Sequence, residues 1–411
     1  MSSPAPGGAV PPGPQRTHWP SVAFGVSLGV LAAYQQFKLP PALPLLFEQY
    51  AYPRVLAGAF MSVYALTGLL FSVAIGARLG REGPKRLLRG AFALLVAGNL
   101  VALAAPGLGG VMLAGRLLEG LAFAVLAVVG GVLATDSAVG RDKLIAVALW
   151  ATWIPLGQVL SSVLAIPLVG AGLWRPLWWA GLLATAAIAG AGRWLGIGSD
   201  RTQVGCLHGT RPDAGPVRAE GAETRARKRS LLLAAGLFAL WTMQFLAFMS
   251  WLPQFLVEAR GFAPGRAALV YLFPPLLIVG FNLATGVMLR SGVPLGRLLP
   301  GSIAVQAGVW LLLPVLGPGV SGALALVAYG ITCGITPTCL FALPNAILGD
   351  GQGASRGFAA ILTGRNLGAL IGPMLLAQAV TLFGGWNVLA PLFGGLCIAA
   401  VATATVLCRR L

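Results

Sequence analysis

The sequence predicts an all-α integral membrane protein in which twelve transmembrane helices form two pseudo-symmetric six-helix bundles. The first observation is composition: the 411 residues are 57% hydrophobic and 9% charged, whereas a soluble domain carries about 25% charged residues. The second is a series of twelve apolar runs of about 20 residues, the length that a helix needs to cross a bilayer. The third is a long polar segment near the centre, which leaves six apolar runs on either side.

The apolar runs set the predicted domain organisation. Residues 1–18, rich in Pro and Gly, are expected to form a disordered cytoplasmic tail. Residues 19–198 form the first bundle, residues 199–229 a cytoplasmic linker whose basic end rests on anionic lipid, and residues 230–411 the second bundle. The twelve predicted spans begin near Trp19, Val55, Leu87, Val111, Leu144, Trp174, Leu231, Ala267, Leu298, Gly322, Gly357 and Trp386.

The distribution of Lys and Arg predicts the orientation. With the N-terminus in the cytoplasm, 21 of the 28 basic residues lie in cytoplasmic segments and four lie in outside segments, as the positive-inside rule requires. Both termini are therefore expected to be cytoplasmic. The net charge of +17 lies in short gaps between apolar runs and not in a basic stripe interleaved with aromatic residues, so we expect no nucleic-acid partner.

A short pattern recurs in the first span of each half. Gln35 is followed nine residues later by Pro44, and Gln244 is followed nine residues later by Pro253. One shift of 209 residues superimposes the two patterns. Internal repeats of this kind are a feature of secondary transporters, which bind substrate between the repeats.

Three cationic side chains and one carboxylate lie inside the apolar runs, namely Lys38, Arg116, Arg365 and Glu119. A charge within a membrane span costs a few kcal/mol, so it needs a partner or a task. One acid cannot neutralise three bases. The surplus of positive charge favours a protein that receives an anion in the middle of the bilayer.

The i, i+3 spacing of Arg116 and Glu119 puts both side chains on one helix face, within reach of each other. Two interpretations remain open. The pair is either structural and orients helices, or a proton switch in which protonation of Glu119 releases Arg116 to bind substrate.

Arg365 lies near mid-depth of its span with no carboxylate nearby in sequence, and its planar donor fork suits carboxylate-like anions. We interpret it as a substrate-binding residue; the alternative is that it bonds backbone carbonyls at a helix break. Lys38 is expected near the outer end of the first span, where snorkelling to the interface explains it.

Uncharged amide side chains complete the candidate substrate site. Gln35, Gln244, Asn282 and Asn366 either line a wet cavity or bond across helices. The symmetry of Gln35 and Gln244 favours the cavity. The three glycines of the Arg365 span, at four-residue spacing, are expected to allow close helix approach; they are Gly364, Gly368 and Gly372.

The loop between the second and third spans carries the candidate gating residues Gly76, Arg81, Gly83, Lys85 and Arg86. It resembles the G-x-x-x-D-R-x-G-R-[RK] loop of the major facilitator superfamily. Gly80 stands where that family has Asp, so the latch between the halves that this Asp supports is expected to be weakened or replaced. Gly115-Arg116 to Gly120 is similar to the family's fourth-span R-x-x-x-G pattern, and Gly372-Pro373 to its G-x-x-x-G-P signature.

The resemblance implies a twelve-helix transporter that works by alternating access, and neither an enzyme nor a cofactor protein. Trp251, Pro253 and Glu258, with the stretch from Gly334 to Pro337, loosely resemble the cyanate/nitroimidazole permease branch. We expect a secondary active transporter of a small organic or inorganic anion. Coupling of anion transport to H⁺ movement is a hypothesis. It would be a monomer in the bacterial cytoplasmic (inner) membrane, surrounded by lipid. The alternatives are an exporter of neutral or cationic amphiphiles and a non-transporting membrane sensor.

Overall fold

The computed structural model describes residues 16–196, 221–348 and 354–410, and within these ranges the chain is helical with no β-strand. The first half contains α1 (Trp19–Phe37), α2 (Leu39–Tyr50), α3 (Arg54–Glu82), α4 (Pro84–Ala104), α5 (Gly109–Asp136), α6 (Asp142–Ala151), α7 (Trp153–Gly170) and α8 (Arg175–Trp194). The second half contains α9 (Gly221–Arg260), α10 (Pro264–Arg290), α11 (Leu295–Leu312), α12 (Val320–Leu348), α13 (Ala354–Phe383) and α14 (Leu389–Cys408), with a 3-10 turn at Trp386–Val388.

Ten of the described helices are long and apolar enough to cross a membrane. They are α3, α4, α5, α7 and α9 to α14. The predicted first span corresponds to α1 and α2 in succession, and the predicted sixth span corresponds to α8. The all-helical membrane fold is confirmed, and the total of twelve transmembrane spans stays a prediction.

The first predicted span is interrupted at Lys38 by the prolines that follow it. Pro40 and Pro41 cannot donate to the carbonyls of Gln36 and Phe37, four residues earlier, but both prolines fit the first turn of a new helix. The backbone of Lys38 stays in the right-handed helical region, with φ −66° and ψ −23°. Lys38 therefore lies at the joint between α1 and α2 and not near the outer end of a span, which corrects the expected depth.

Each half packs around its own central helices. In the first half α5 contacts α1, α3 and α4, and in the second half α13 packs along α9 while α10 and α11 pack on α12. The two halves meet mainly through four helix pairs, α3 with α13, α7 with α10, α2 with α9, and α2 with α10.

Glycines permit the close approach at two of these crossings. A Cβ on Gly58 of α3 would lie 2.8 Å from the carbonyl oxygen of Pro373 in α13, and a Cβ on Gly265 of α10 would lie 2.7 Å from the Cα of Gly170 in α7. Both distances are shorter than a Cβ contact can be. The halves are therefore in direct backbone contact where α3 crosses α13 and where α7 crosses α10. Each of these two lines of contact is called a seam between the halves.

The predicted close helix approach at the three glycines of α13 is confirmed. A Cβ on any of them would overlap a backbone carbonyl oxygen of α9. The facing pairs are Gly364 with Ala235, Gly368 with Ala239, and Gly372 with Met243. The α13 glycines and the α9 residues that face them recur every four residues and increase in number together. Helices α13 and α9 therefore run side by side in the same direction.

The two ends of the molecule are named here by their residues. The Arg54 end holds Arg54 and Glu258, and the Gly83 end holds Gly83 and the start of α9. Most of the predicted linker lies outside the described residues, but its last part, residues 221–229, is the first part of α9 and therefore helical. Residues 1–15 of the predicted tail also lie outside the described ranges.

Candidate functional site

A cluster of charged side chains is buried inside the first half. We call it the buried charge cluster and define it as Lys38, Tyr64, Arg116 and Glu119. Glu119 Oε1 lies 2.8 Å from Lys38 Nζ, and Glu119 Oε2 lies 2.7 Å from Arg116 Nη1. The side chains of all three charged residues are 0% exposed. The pairing of Arg116 with Glu119 that the spacing predicts is therefore present, and Lys38 joins it.

Arg116 also donates to backbone carbonyls at the joint, including that of Gln36, which Pro40 leaves without a helical donor. Its Nη1 donates to the Gln35 carbonyl at 2.7 Å, and its Nη2 donates to the Gln36 carbonyl at 2.8 Å. A third bond, of 3.2 Å, runs from Nε to the Phe60 carbonyl. Buried carbonyls without a partner are costly. In this conformation the guanidinium of Arg116 is occupied by protein acceptors and acts as a cap on the broken helix.

Lys38 does not snorkel to an interface, which corrects the sequence-based expectation. Its Nζ donates to Gln35 Oε1 at 2.5 Å, to Asn99 Oδ1 at 2.6 Å and to Glu119 Oε1 at 2.8 Å. The ring of Trp178 lies 4.7 Å from the same nitrogen. Three acceptors match the three N–H donors of an ammonium group, so Lys38 is held inward by α1, α4 and α5.

Hydrogen bonds to backbone carbonyls fix which atom each amide offers to Lys38. The Asn99 amide nitrogen donates to the Leu95 carbonyl at 2.7 Å, so its oxygen faces Lys38. The Gln35 amide nitrogen donates to the Gly181 carbonyl of α8 at 3.2 Å, so the Gln35 amide oxygen also faces Lys38. Both amides therefore serve as oriented acceptors, and Gln35 is buried in the interior of the first half.

Glu119 receives hydrogen bonds from three donors. Besides Lys38 and Arg116, the hydroxyl of Tyr64 donates to Glu119 Oε2 at 2.7 Å. Lys38 and Arg116 are cations that can only donate, whereas the Tyr64 hydroxyl can also accept, because it lies 3.1 Å from the Gln35 carbonyl as a second acceptor for its proton. The surroundings are thus those of an ionised carboxylate.

Gln244 occupies the corresponding place in the second half, where the cluster is neutral. Its Oε1 accepts from Trp310 Nε1 and from the Tyr329 hydroxyl, both at 2.8 Å, and its Nε2 donates to Gln306 Oε1 at 2.8 Å. Gln244 is 1% exposed. The 209-residue shift that relates Gln35 to Gln244 places Ala247 at the position of Lys38. Both glutamines are thus interior residues of their halves, and only the first half carries charge there.

Arg365 lies apart from both clusters, on α13. It is half-buried, and its Nη1 donates to Asn366 Oδ1 at 3.2 Å. A Cβ on Gly68 of α3 would lie 3.5 Å from the Asn366 amide, so Asn366 adjoins the other half. Among the described residues, no carboxylate is within ion-pair distance of Arg365. Arg365 and Asn366 therefore form a cationic, amide-bearing site beside the seam between the halves.

Asn282 is not brought to Arg365 by any described contact. Its Oδ1 accepts from the Thr338 hydroxyl at 3.2 Å, across α10 and α12. The sequence-predicted substrate residues thus divide into separate groups, with Arg116 and Gln35 in one half, Gln244 and Asn282 in the other, and Arg365 with Asn366 beside the seam.

The candidate gating loop joins α3 to α4 through Gly83, whose φ of +75° favours glycine. Arg86 forms an exposed ion pair of 3.4 Å with Glu82, and Arg81 Nε contacts the Ala77 carbonyl at 3.5 Å. These contacts stay within α3 and α4. Gly76 has open space around its Cα, and Lys85 is exposed.

An ion pair joins the two halves at the Arg54 end, and sequence reasoning missed it. Arg54 Nη1 lies 2.8 Å from Glu258 Oε2, and Trp386 Nε1 donates to the same oxygen at 3.0 Å. Nearby, Trp251 Nε1 donates to the Pro373 carbonyl at 3.0 Å. A cavity of about 520 Å³ opens beside the pair, lined in part by Phe47 and Gln254. The halves are therefore closed together at this end.

Sequence reasoning also missed two amide residues of the buried polar clusters, although their positions in apolar runs were a signal. Asn99 and Gln306 are lone amides in apolar runs, which normally mark functional or helix-bonding positions. An inventory of every polar residue in every span would have found both. It would not have paired Arg54 with Glu258, which are 204 positions apart.

Two packed helical halves with an ion pair across one end, and with cationic side chains in the interior, form a multi-pass helical membrane fold. The chain belongs to the Major Facilitator Superfamily, whose sequence profile matches residues 26–373.

The chain is similar, among others, to one curated relative and to two solved structures. The relative is the inner membrane transport protein YajR of Escherichia coli (strain K12), 26% identical over 276 residues, which are 66% of this chain. The chain spans 56% of the length of that relative. The nucleoside transporter NupG superposes with a TM-score of 0.69 over 94% of this chain and 98% of its own, at 14% identity. A D-xylose-proton symporter superposes with a TM-score of 0.67 over 94% and 97%, also at 14% identity. The structural likenesses show the fold alone.

Proposed function

We propose that the protein is a secondary active transporter that moves a small organic or inorganic anion across the cytoplasmic membrane by alternating access. One observation carries the proposal: Arg365 lies beside the seam between the halves without a described carboxylate as its partner. Arg stays charged at any physiological pH. An anion that binds there would neutralise the charge that a closed, dry cavity otherwise has to bury.

The chemistry of the site supports an oxyanion as the ligand. A guanidinium offers parallel N–H donors to a carboxylate or a similar planar anion. Asn366 adds a neutral amide next to Arg365, at the face that adjoins Gly68 of the other half. A ligand held by both side chains would contact α3 and α13 at once. Its binding would therefore depend on the position of one half relative to the other.

The remaining predicted substrate residues have supporting roles in this proposal. Arg116 and Gln35 hold the joint of the first span, and Gln244 holds the interior of the second half. Asn282 bonds α10 to α12. They keep each half rigid, so that the halves move as bodies about the site.

The alternating movement requires the Arg54 end to open. In this conformation that end is closed by the ion pair of Arg54 with Glu258 and by the packing of Phe47 on Trp251, whose ring centroids are 6.0 Å apart. Opening would break both contacts. Trp251 and Glu258 belong to the pattern that resembles the cyanate/nitroimidazole permease branch, and that finer assignment stays a prediction.

The topology is part of the proposal. We infer twelve spans, with α1 and α2 counted as one span and α8 as another, and both termini in the cytoplasm. Exposed basic residues at the Gly83 end, such as Lys85 and Lys228, support a cytoplasmic location for that end. The relative's name supports a bacterial inner-membrane location. The working unit is a monomer surrounded by lipid.

Thermal stabilisation of the purified protein tests the proposal. A ligand that binds the folded state raises its apparent stability. We expect small anions to raise the melting temperature of the wild type and to leave Arg365→Ala unchanged. Arg297→Ala is the matched control, because Arg297 is an exposed arginine on α11; it should respond like the wild type. Stabilisation by cations or neutral amphiphiles alone would overturn the anion proposal in favour of an exporter.

Flux in proteoliposomes separates a transporter from a sensor that binds without turnover. An anion that stabilises the protein should exchange across the membrane when the protein is present. Stabilisation without flux would assign the protein to the sensor alternative.

A further inference from the structure

Lys38 lies where a change in its charge would be transmitted to the contact between the halves. It is the last residue before α2, and α2 is the segment of the first span that packs on α9 and α10. Phe47 of α2 packs on Trp251 of α9 at the Arg54 end. The position of α2 therefore helps to decide whether that end is closed, and Lys38 holds the joint from which α2 extends.

The buried charge cluster holds one more positive charge than negative. Lys38 and Arg116 face a single carboxylate, Glu119, and all three side chains are fully buried. An isolated charge in such a place is costly. Arg116 cannot lose its proton. Protonation of Glu119 would remove the negative charge that faces both cations and would leave two buried positive charges together. Lys38 is the one member that can release a proton and leave the cluster neutral.

We propose that Lys38, and not Glu119, carries the proton whose release opens the Arg54 end. The inference deepens the proposed function in that it needs the movement of the halves, but it does not depend on which solute is transported. It assigns to Lys38 the proton-coupling role that sequence reasoning predicted for Glu119.

The proton balance gives the mechanism. The protonated Lys38 amine uses three N–H donors to hold Gln35, Asn99 and Glu119. When one proton leaves Nζ for water, the neutral amine keeps only two N–H donors, so one of the three acceptors is released. Arg116 and Glu119 remain as a neutral ion pair. The joint between α1 and α2 is then held by fewer bonds, and α2 can leave α9.

The other titratable groups around Lys38 do not take over this role. Tyr64 of α3 donates its hydroxyl proton to Glu119, and Tyr34 of α1 donates to the Leu177 carbonyl at 2.8 Å. Both hydroxyls are already used as donors. The contacts from α4 and α8 come from the uncharged Asn99 and Trp178.

Pulsed electron paramagnetic resonance on spin-labelled protein in lipid nanodiscs tests the inference without any ligand. Nitroxides at Leu108→Cys and Val315→Cys report on the Arg54 end, because Leu108 follows α4, Val315 follows α11, and both are exposed. Cys206 and Cys408 are replaced by Ser, and the buried Cys333, Cys339 and Cys397 are kept. Distances are measured at about pH 5.5 and about pH 8.5, on either side of neutrality.

We expect the wild-type distance distribution to shift to longer distances at the higher pH. Lys38→Met imitates the neutral amine and should give the long distances at both pH values, whereas Lys38→Arg keeps the charge and should give the short distances at both. Lys143→Met removes an exposed lysine of α6 and should keep the wild-type response. A pH response that persists in both Lys38 variants, or is absent from the wild type, would overturn the inference. Failure of the anion panel would leave this result untouched, since no ligand is added.

Discussion

Arg116 Nη2 lies 2.8 Å from the carbonyl oxygen of Gln36, so a side chain of α5 replaces the N–H donor that Pro40 of α2 lacks. Pro40 leaves the Gln36 carbonyl without a backbone donor, and the guanidinium of Arg116 supplies one while it also donates to Glu119. Arginine is suited to this double role because its five N–H donors point in fixed directions. The charged residue of the fourth span is thus a structural part of the first span.

Replacement of Arg116 by Leu should strongly destabilise the protein. Glu119 would keep Lys38 as its partner, but the buried carbonyls of Gln36 and Phe60 would lose their donor. Each orphaned group costs about 1–3 kcal/mol, so we expect a loss of about 3 kcal/mol. Arg116→Lys should recover less than half of it, because a single ammonium cannot reach all the acceptors. Unfolding in mixed detergent micelles measures the difference in unfolding free energy between the variants and the wild type. If Arg116→Lys were as stable as the wild type, the capping role of Arg116 would be contradicted.

Removal of the acid should cost more than removal of the lysine. Glu119→Gln leaves two buried cations without an anion, and breaking a buried pair in this way costs about 3–5 kcal/mol. Lys38→Met leaves the neutral pair of Arg116 with Glu119 and one unpaired amide oxygen, that of Asn99, because Gln35 Oε1 keeps the Asn99 amide nitrogen as a donor at 3.3 Å; a smaller loss is therefore expected. The double variant should be more stable than Glu119→Gln alone, because one of the surplus cations is gone. A double-mutant cycle of unfolding free energies measures the coupling.

The ion pair at the Arg54 end should control conformation more than stability. Arg54 and Glu258 are 32% and 26% exposed, so solvent screens the pair and it contributes at most about 1 kcal/mol. Glu258→Gln should nevertheless raise the population with an open Arg54 end, since the pair exists only when the halves meet there. The spin-label distance between the two halves is the measurement. The exchanged pair Arg54→Glu with Glu258→Arg should restore the closed population, and no restoration would argue against a direct ionic contact.

The glycines of α13 should tolerate no side chain. Gly368→Ala would drive a methyl group into the Ala239 carbonyl of α9, and overpacking of this kind costs about 1–3 kcal/mol. Gly301→Ala in α11 is the matched control, because nothing lies within 4 Å of the added Cβ, and there the helix propensity of Ala should help by up to about 1 kcal/mol. Melting temperatures of the two variants should move in opposite directions. If both variants melt alike, the close packing of α9 and α13 is incorrect.

Local patterns were sufficient where a contact depends on one helix. The Arg116 and Glu119 pairing follows from i, i+3 geometry, and the glycines of α13 follow from their four-residue spacing. Lys38 shows where such reasoning stops. Its depth was misjudged because α2 extends the first span, and its partners lie 61 and 81 residues away in sequence.

By itself the sequence determined that the chain is an all-helical membrane protein with a charge surplus inside its spans, because apolar length and charge position are properties of the chain. Only the tertiary structure decided that Glu119 serves two cations, that Gln35 and Gln244 are interior residues, and that Arg54 meets Glu258. The physical reason is that a side chain's partner in a helical bundle depends on the rotation and depth of the neighbouring helix. Those are fixed by packing between helices, at the glycines of each seam, and not by any spacing within one span.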